Sequence, residues 1–200
     1  ANVTLKTVMA GVYQVKNAAL AADVAYALLP VLLTEEKKKR VGNRKGPIEE
    51  EYRLEIIRNG MEKARWPGRF EVISTDPFLV MDGAHNEDAA RQLADTVENC
   101  FTNTCLTYII GVLADKEHEK MLRIMSPFAE RVYTVTPHNA RALDAGQLAE
   151  EARGYYNHVQ ACGSVEDALK DALSHEQPVL AFGSLSYLGE LKRAFEAWNK

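Results

Sequence analysis

From residue 69 onward the sequence alternates short apolar runs with longer segments of helical spacing, and this alternation constrains the fold more than any other feature. The apolar runs are Phe70–Ser74, Phe78–Met81, Thr104–Val112, Arg131–Val135, Val159–Cys162 and Val179–Phe182. Helical spacing covers Asn86–Phe101, Glu117–Phe128, Asp144–Tyr156, Val165–Leu173 and Ser186–Trp198. Strands that alternate with helices of about ten to fifteen residues are typical of βαβ crossovers. The sequence therefore predicts an α/β fold with a mainly parallel sheet of about six strands and helices on both faces.

The first 65 residues follow a different pattern. In order, they predict a strand at Thr4–Met9, an alanine-rich helix at Val15–Leu29, a charged loop at 35–46 and a helix at 48–65 with Ile48, Tyr52, Ile56 and Met61 near one stripe. Trp66-Pro67-Gly68 then interrupts the chain, since proline followed by glycine is strong punctuation. A chain that opens on a strand without a nearby partner is typical of a domain tail. We therefore expect residues 1–65 to be the tail of an upstream domain and 66–200 to form a second domain.

Composition excludes several functional classes. Residues 66–200 carry a net charge of −8, so they offer no basic stripe to a nucleic-acid backbone. No apolar run approaches about 20 residues and no signal peptide is visible, which argues against membrane and secretory proteins. Three cysteines are sparse and odd in number, which fits a reducing cytoplasm. The five histidines and three cysteines lack metal-ligand spacing, so no metal site is expected.

Ligands of such sheets bind at the carboxyl ends of the strands, near the point where strand order reverses. The sequence places Asp82-Gly83-Ala84-His85-Asn86 directly after a predicted strand. Asn86 can cap the next helix, and Glu87 and Asp88 in its first turn would repel a phosphate. A carboxylate at position 82 suits a ribose hydroxyl better. The alternative is that this stretch is only a well-capped strand–turn–helix connection.

Two more polar residues are candidates for nucleotide contacts. Arg69 follows the rigid Pro67-Gly68 turn and could clamp a phosphate, although it could instead pack on Trp66. Asn17 begins an alanine-rich helix, where its amide could read an adenine edge or simply serve the structure. The sequence contains no GxxxxGK[ST] phosphate loop.

Six segments, taken together and in order, resemble the folylpolyglutamate synthase/dihydrofolate synthase family, which belongs with the Mur peptide ligases. The segments are GVYQVKNAALA at 11–21, WPGRFE at 66–71, DGAHNEDAA at 82–90, GVLADK at 111–116, Thr136-Pro137 with RALDA at 141–145, and FGSLSYLGE at 182–190. One departure is Glu87, where the family commonly has proline. The resemblance spans residues 11–190, and six ordered motifs are far more specific than any one of them.

The resemblance implies an ATP-dependent amide ligase that activates a carboxylate as an acyl phosphate, which the amine of glutamate then attacks. Its fold would be the end of an ATPase domain followed by a Rossmann-like domain, so this chain would be a C-terminal portion. The phosphate loop and the Mg²⁺ ligands would lie upstream, and the fragment alone would be inactive. ATP and Mg²⁺ would be the cofactors, and L-glutamate and a folate or dihydropteroate the other substrates. We expect a cytoplasmic monomer without nucleic-acid or membrane partners.

The resemblance also implies roles for individual residues. These are adenine contact for Asn17, phosphate contact for Arg69, ribose contact for Asp82, a place near the incoming glutamate for His85, glutamate-carboxylate binding for Ser184, a place near the reacting centre for Lys116, and a weaker substrate role for Arg141. His85 and Lys116 are thus the catalytic candidates. Alternatives remain for two of them, since Lys116 could be merely solvated and Ser184 could cap the last helix.

Two other functional classes stay open beside the folate ligase. The chain could be a non-catalytic module that binds a nucleotide or a substrate. It could also come from a Mur-type ligase with a peptidoglycan substrate, although the DGAHN stretch and the closing GSLSYLGE stretch favour folate through the resemblance.

Overall fold

The computed structural model describes residues 3–33 and 50–199. The chain divides into two compact units, Ala1–Trp66 and Pro67–Lys200, and the division falls inside the Trp66-Pro67-Gly68 stretch. The predicted charged loop at 35–46 lies outside the described residues, as does Ile48 at the start of the predicted second helix.

Within its described residues, the first unit contains two helices, α1 at Val12–Leu32 and α2 at Glu50–Lys63. Ala18 and Ala22 of α1 are buried with Ile57 and Met61 of α2. The predicted stripe was wrong about Ile56, which is only half-buried. Residues five apart on a helix are rotated by about 140°, so Ile56 and Met61 cannot share a face, whereas Ile57 and Met61 can.

The strand predicted at Thr4–Met9 is wrong, because residues 3–10 belong to no helix or sheet. A strand is defined by hydrogen bonds to a neighbour, and none of the residues at 3–33 and 50–199 pairs with this segment. Apolar alternation alone predicted it.

Helix α1 is longer and more apolar than the sequence analysis allowed. It has 21 residues and a mean hydropathy of 1.4, so by length and composition it could cross a membrane, and 11% of that window is buried. Lys16 and Asp23 interrupt the apolar residues of α1 but lower its mean hydropathy only a little. The expectation that the sequence contains no apolar segment of membrane-spanning length was therefore wrong. A helix that packs against protein has the same length and composition, so these two properties do not distinguish the two cases.

The second unit is the predicted α/β domain. Its elements are β1 Glu71–Thr75, β2 Phe78–Met81, α3 Glu87–Cys100, β3 Leu106–Ile110, α4 His118–Met125, β4 Ala129–Thr134, α5 Ala145–Ala152, β5 His158–Ala161, α6 Val165–Leu173, β6 Val179–Phe182 and α7 Leu185–Trp198. The side chains of Asn86, Asp144, Ser164 and Ser184 cap α3, α5, α6 and α7. Such residues are preferred caps because their oxygens accept hydrogen bonds from otherwise unpaired amides.

The sheet has six strands in the order β1-β2-β6-β3-β4-β5. Strand β1 pairs antiparallel with β2, and the other pairs are parallel, which confirms the predicted mainly parallel sheet. From β2 the chain moves in one direction to β3, β4 and β5. It then returns across the sheet and inserts β6 between β2 and β3.

Helices cover both faces of this sheet, as predicted. Right-handed crossovers that run in opposite directions place their helices on opposite faces, so α6 lies opposite α3, α4 and α5. Residues of α6 and α7 share one buried cluster with Leu79, Ile109 and Ala181. On the other face, the hydroxyl of Tyr108 donates to the carbonyl of Met125, at 3.2 Å.

The turn that leaves β6 requires glycine at position 183. Gly183 has φ +115°, and a Cβ there would lie 2.6 Å from the carbonyl oxygen of Gly111 and 3.0 Å from Cγ1 of Val112. An L residue would therefore meet both backbone strain and steric overlap, and the overlapping atom is backbone that cannot rotate away.

We predict that Gly183→Ala lowers the free energy of unfolding by about 2 kcal/mol or more, from the strained φ and the overlap together. Denaturant unfolding of the chain measures this. The matched control is Gly189→Ala inside α7, where the nearest atom is the flexible end of Arg193 at 3.7 Å. That variant should gain up to about 1 kcal/mol from helix propensity. Equal stability of the two variants would contradict the steric account.

Candidate functional site

The carboxyl ends of β2, β6 and β3 lie side by side and form the centre of the candidate site. The amide of Asp82 donates to the carbonyl of Ala181 at 2.9 Å, and the amide of Gly111 donates to the carbonyl of Phe182 at 3.4 Å. The loops that follow these three strands therefore start next to one another. They carry most of the residues singled out in the sequence.

Asp82 is almost completely buried, with 2% of its surface exposed. Its Oδ1 accepts a hydrogen bond from the amide of Ala84 and its Oδ2 accepts one from the amide of Phe70, each at 2.8 Å. Both oxygens thus have backbone donors. A carboxylate oxygen has a second lone pair, so the predicted contact with a ribose hydroxyl is compatible with these bonds and stays a prediction.

The loop that carries Arg69 has unusual backbone geometry. Gly68 has φ +72° and Phe70 has φ +44°, so the half-buried Arg69 lies between two residues in the left-handed region. The amide of Gly68 donates to Oε2 of Glu71 at 2.8 Å, and the ammonium of Lys192 donates to Oε1 of the same carboxylate at 2.8 Å. Partial burial acts to raise the pKa of Glu71, but these bonds outweigh it and the pKa is lowered.

The His85 ring is half-buried and held in one orientation. Its Nδ1 lies 2.8 Å from the carbonyl oxygen of Gly83. A carbonyl can only accept, so Nδ1 carries the hydrogen. When the ring is neutral, Nε2 is therefore a proton acceptor, and when the ring is protonated, Nε2 is a donor.

Ser184 caps helix α7 and is only 6% exposed. Its Oγ accepts a hydrogen bond from the amide of Ser186 at 3.2 Å and lies 2.7 Å from the hydroxyl of Ser186. The capping alternative raised from the sequence is thus observed. The glutamate-binding role stays a prediction beside it.

The two helices that begin at this edge differ in charge. The first turn of α3 contains Glu87 and Asp88, whereas the first turn of α7 contains no acidic residue. Hydrogen bonds from Arg91 and then Lys120 lower the pKa of Glu87, so this carboxyl stays ionised. Because a helix N-terminus attracts anions, the start of α7 favours a substrate carboxylate and the start of α3 does not.

The loops after β3 and β4 pair with each other. The amide of Ala114 donates to the carbonyl of Arg141 at 2.8 Å, and Nη1 of Arg141 lies 2.9 Å from Oδ2 of Asp115. Lys116 is half-buried, and its ammonium makes no hydrogen bond or ion pair with any residue in the described part of the chain. The sequence analysis did not single out Asp115, although the loops of neighbouring parallel strands are expected to meet.

Asn17 belongs to the first unit, whereas the other candidates belong to the second. It is exposed on α1, and its Nδ2 donates a hydrogen bond to Oε1 of the buried Gln14 at 3.4 Å. Across residues 3–33 and 50–199, no three His, Cys, Asp or Glu side chains are arranged to hold a metal ion.

Comparison with known proteins defines the class to which this architecture belongs. The family described as "Mur ligase, glutamate ligase domain" matches residues 68–185, which is more than half of the chain. Residues 68–185 therefore form a Mur ligase glutamate ligase domain.

Individual relatives narrow the class. A probable bifunctional folylpolyglutamate synthase/dihydropteroate synthase of Halobacterium salinarum is 36% identical over 144 residues, which is 69% of this chain and 17% of that protein. The folylpolyglutamate synthase structure of Thermotoga maritima aligns with a TM-score of 0.71 and 27% identity, over 100% of this chain and 42% of that one. The bifunctional folylpolyglutamate synthase/dihydrofolate synthase of Yersinia pestis, complexed with AMPPNP and Mn ion, aligns with a TM-score of 0.62 and 27% identity, over 78% of this chain and 36% of that one.

The chain belongs to the folylpolyglutamate synthase/dihydrofolate synthase family of Mur ligases and represents its C-terminal portion, as the ordered motifs predicted. It spans less than half the length of each of these three proteins.

We predict that neutral His85 is the Nδ1–H tautomer, because the Gly83 carbonyl only accepts hydrogen bonds. Long-range ¹H–¹⁵N correlation spectra of the labelled chain should show a protonated Nδ1 and a bare Nε2. His158 is exposed and serves as the control, where a mixture of tautomers is expected. A protonated Nε2 with a bare Nδ1 at His85 would contradict the hydrogen bond.

Proposed function

We propose that this chain is part of an ATP-dependent ligase that joins L-glutamate to a folate or dihydropteroate through an amide bond. The observation that carries the proposal is the convergence of the Arg69 loop, His85 and Ser184 at one edge of the sheet, on the segments that match the family. The names of the relatives support the reaction class and the folate substrate.

The proposed reaction has two steps. The γ-phosphoryl group of ATP is transferred to the substrate carboxylate, which forms an acyl phosphate and releases ADP. The neutral amine of glutamate then attacks the acyl carbon, phosphate leaves, and the nitrogen loses a proton as the amide forms. The amine reaches this neutral state by releasing a proton from its ammonium form, for which the Nε2 of neutral His85 is a suitable acceptor.

We assign nucleotide binding to three residues. Asn17 contacts the adenine, Arg69 the phosphates, and Asp82 the ribose. A guanidinium suits phosphate because its planar donors match two oxygens at once. The relative complexed with AMPPNP and Mn ion supports a nucleotide and a divalent metal in this family. No three His, Cys, Asp or Glu side chains cluster among the described residues. We propose that Mg²⁺ is held by residues upstream of this chain.

We assign glutamate to the start of α7. Ser184 offers a hydroxyl there, the first turn lacks acidic side chains, and the Nε2 of neutral His85 on the neighbouring loop can accept a hydrogen bond from the ammonium group of glutamate. Two carboxylates need such donors in a domain whose net charge is −8. Lys116 and the Arg141 guanidinium lie on the adjacent loops, where their positive charge suits the departing phosphate.

Two other functions are less well supported. A Mur ligase with a peptidoglycan substrate shares the fold, but the relatives described above are folate enzymes. A non-catalytic binding module would use the same charged groups, and the relatives described above favour the ligase because they are named as synthases. The proposal further places the protein in the cytoplasm as a monomer without nucleic-acid or membrane partners.

The decisive assay uses the whole protein, including the reading frame upstream of residue 1. ADP release that requires both glutamate and a folate or dihydropteroate would support the proposal. ADP release that instead requires a peptidoglycan precursor would identify the peptidoglycan alternative, and absence of any ligase activity would favour the binding module. The 200-residue chain alone is expected to be inactive.

In the whole enzyme, we predict that Arg69→Ala lowers kcat by about 10²–10³, because a donor to the transferred phosphate matters most in the transition state. Steady-state kinetics with saturating folate and glutamate measure this. Arg193→Ala, an exposed arginine on α7, is the control and should leave kcat unchanged. An unchanged kcat with a raised KM for folate would show that Arg69 does not contact the phosphates.

We predict that Ser184→Ala and His85→Ala each raise the KM for glutamate about ten- to a hundredfold while ATP binding changes little. Losing one hydrogen bond to a charged group has this effect. Thermal melts of the same variants separate binding from capping, since cap loss alone would cost about 1 kcal/mol.

The controls for this pair are Ser174→Ala and His158→Ala, which alter exposed residues that do not follow the carboxyl end of any strand. A lowered melting temperature with a normal KM for glutamate would show that Ser184 acts only as a cap. A normal KM in His85→Ala would remove His85 from the glutamate site.

A further inference from the structure

Two short hydrogen bonds join the loop that carries Arg69 to the turn that carries His85, and a third lies within that turn. The amide of Phe70 donates to Oδ2 of Asp82 at 2.8 Å, and the amide of Ala84 donates to Oδ1 of the same carboxylate at 2.8 Å. The amide of Gly83 donates to the carbonyl of Gly68 at 2.7 Å. The two segments are about a dozen residues apart in sequence, and these bonds hold their backbones next to each other.

The Arg69 loop needs such support. Phe70 is a bulky L residue with φ +44°, a conformation that such residues rarely adopt, and only 3% of it is exposed. A backbone of this kind persists only where the surroundings hold it in place. The direct neighbour of Arg69 is therefore kept in its conformation by one oxygen of Asp82.

The other oxygen of Asp82 supports the second segment. It fixes the amide of Ala84, which is the direct neighbour of His85, and the His85 ring in turn bonds the carbonyl of Gly83. Hydrogen bonds to an ionised carboxylate are stronger than neutral ones, and Asp82 is nearly excluded from water. The buried carboxylate of Asp82 thus holds one neighbour of each candidate residue, namely Phe70 beside Arg69 and Ala84 beside His85.

We propose that Asp82 is a positioning residue that sets the Arg69 guanidinium and the His85 imidazole relative to each other, in addition to any contact with a ribose. Through this carboxylate the phosphate-binding and glutamate-binding groups behave as one rigid assembly. The functional part of this inference rests on the proposed function of Arg69 and His85.

The structural part is tested first on the 200-residue chain. In Asp82→Asn, one carboxylate oxygen becomes an amide nitrogen that cannot accept, so Phe70 or Ala84 loses its partner. Amide hydrogen exchange at one or both residues should accelerate about tenfold or more. The amides of Ile109 and Val132 in the central strands should be unchanged. Asp88→Asn, an exposed carboxylate in the first turn of α3, is the matched control and should alter neither loop.

Unchanged protection of both Phe70 and Ala84 in Asp82→Asn would overturn the inference. If the Asp82→Asn variant does not fold, the hydrogen bonds of Asp82 can still be tested directly in the wild-type chain. Scalar couplings across the hydrogen bonds, from the amide nitrogens of Phe70 and Ala84 to the carboxylate carbon of Asp82, should be detectable. Their absence in spectra where backbone couplings of the sheet are visible would also overturn it.

The functional part is tested on the whole enzyme with ATP, 2′-deoxy-ATP and 3′-deoxy-ATP. A positioning role predicts that Asp82→Asn lowers kcat at least tenfold and raises the KM for glutamate, whether or not the preference for ATP over the deoxy analogues also changes. A purely ribose-binding role predicts the reverse, namely loss of that preference with kcat and the KM for glutamate intact, and would overturn the proposal.

The two proposals fail in different ways. A wild-type enzyme without glutamate- and folate-dependent ADP release would defeat the proposed function, while the exchange and coupling measurements would still report on Asp82. An active wild-type enzyme whose Asp82→Asn variant has normal kcat and normal glutamate KM would defeat only the positioning role.

Discussion

The insertion of β6 between β2 and β3 is the constraint on which the site depends. It brings three strand ends together, and it requires the backbone at Gly183 to pass so close to the Gly111 carbonyl that no side chain fits. The fully buried hydroxyl of Tyr187 lies 2.8 Å from the carbonyls of both Ile109 and Phe182 and joins the ends of β3 and β6. Burial raises the pKa of this hydroxyl strongly, so it remains a donor throughout the physiological range.

Charge is distributed unevenly around these strand ends. The domain is acidic as a whole, and the start of α3 adds two carboxylates where an anion would otherwise bind. The start of α7 has none, and the nearby loops carry His85, Lys116 and Arg141. The charges at this edge therefore favour an anion at the start of α7, through the absence of repulsion as much as through attraction.

Asp82 has a structural role that its motif did not predict, beside the ribose contact proposed for it. The sequence suggested a ribose contact because a carboxylate at a strand end faces the crevice. The structure adds two backbone partners, and one of them belongs to a residue with positive φ beside Arg69. This bond joins two motifs that are distant in sequence, so neither motif alone predicts it.

The sequence by itself determined the alternation of strands and helices, the caps at Asn86 and Ser184, and the family, because these depend on periodicity and on short local motifs. It failed where a long-range partner decides, as with Thr4–Met9, which no described strand pairs, and with Ile57, which rather than Ile56 faces α1. Only the tertiary structure decided the place of β6, the Asp115–Arg141 ion pair and the partners of Asp82. The physical reason is that strand order and buried hydrogen bonds depend on which surfaces pack together after the chain has folded back on itself. A local sequence pattern carries no information about which distant segments pack against it.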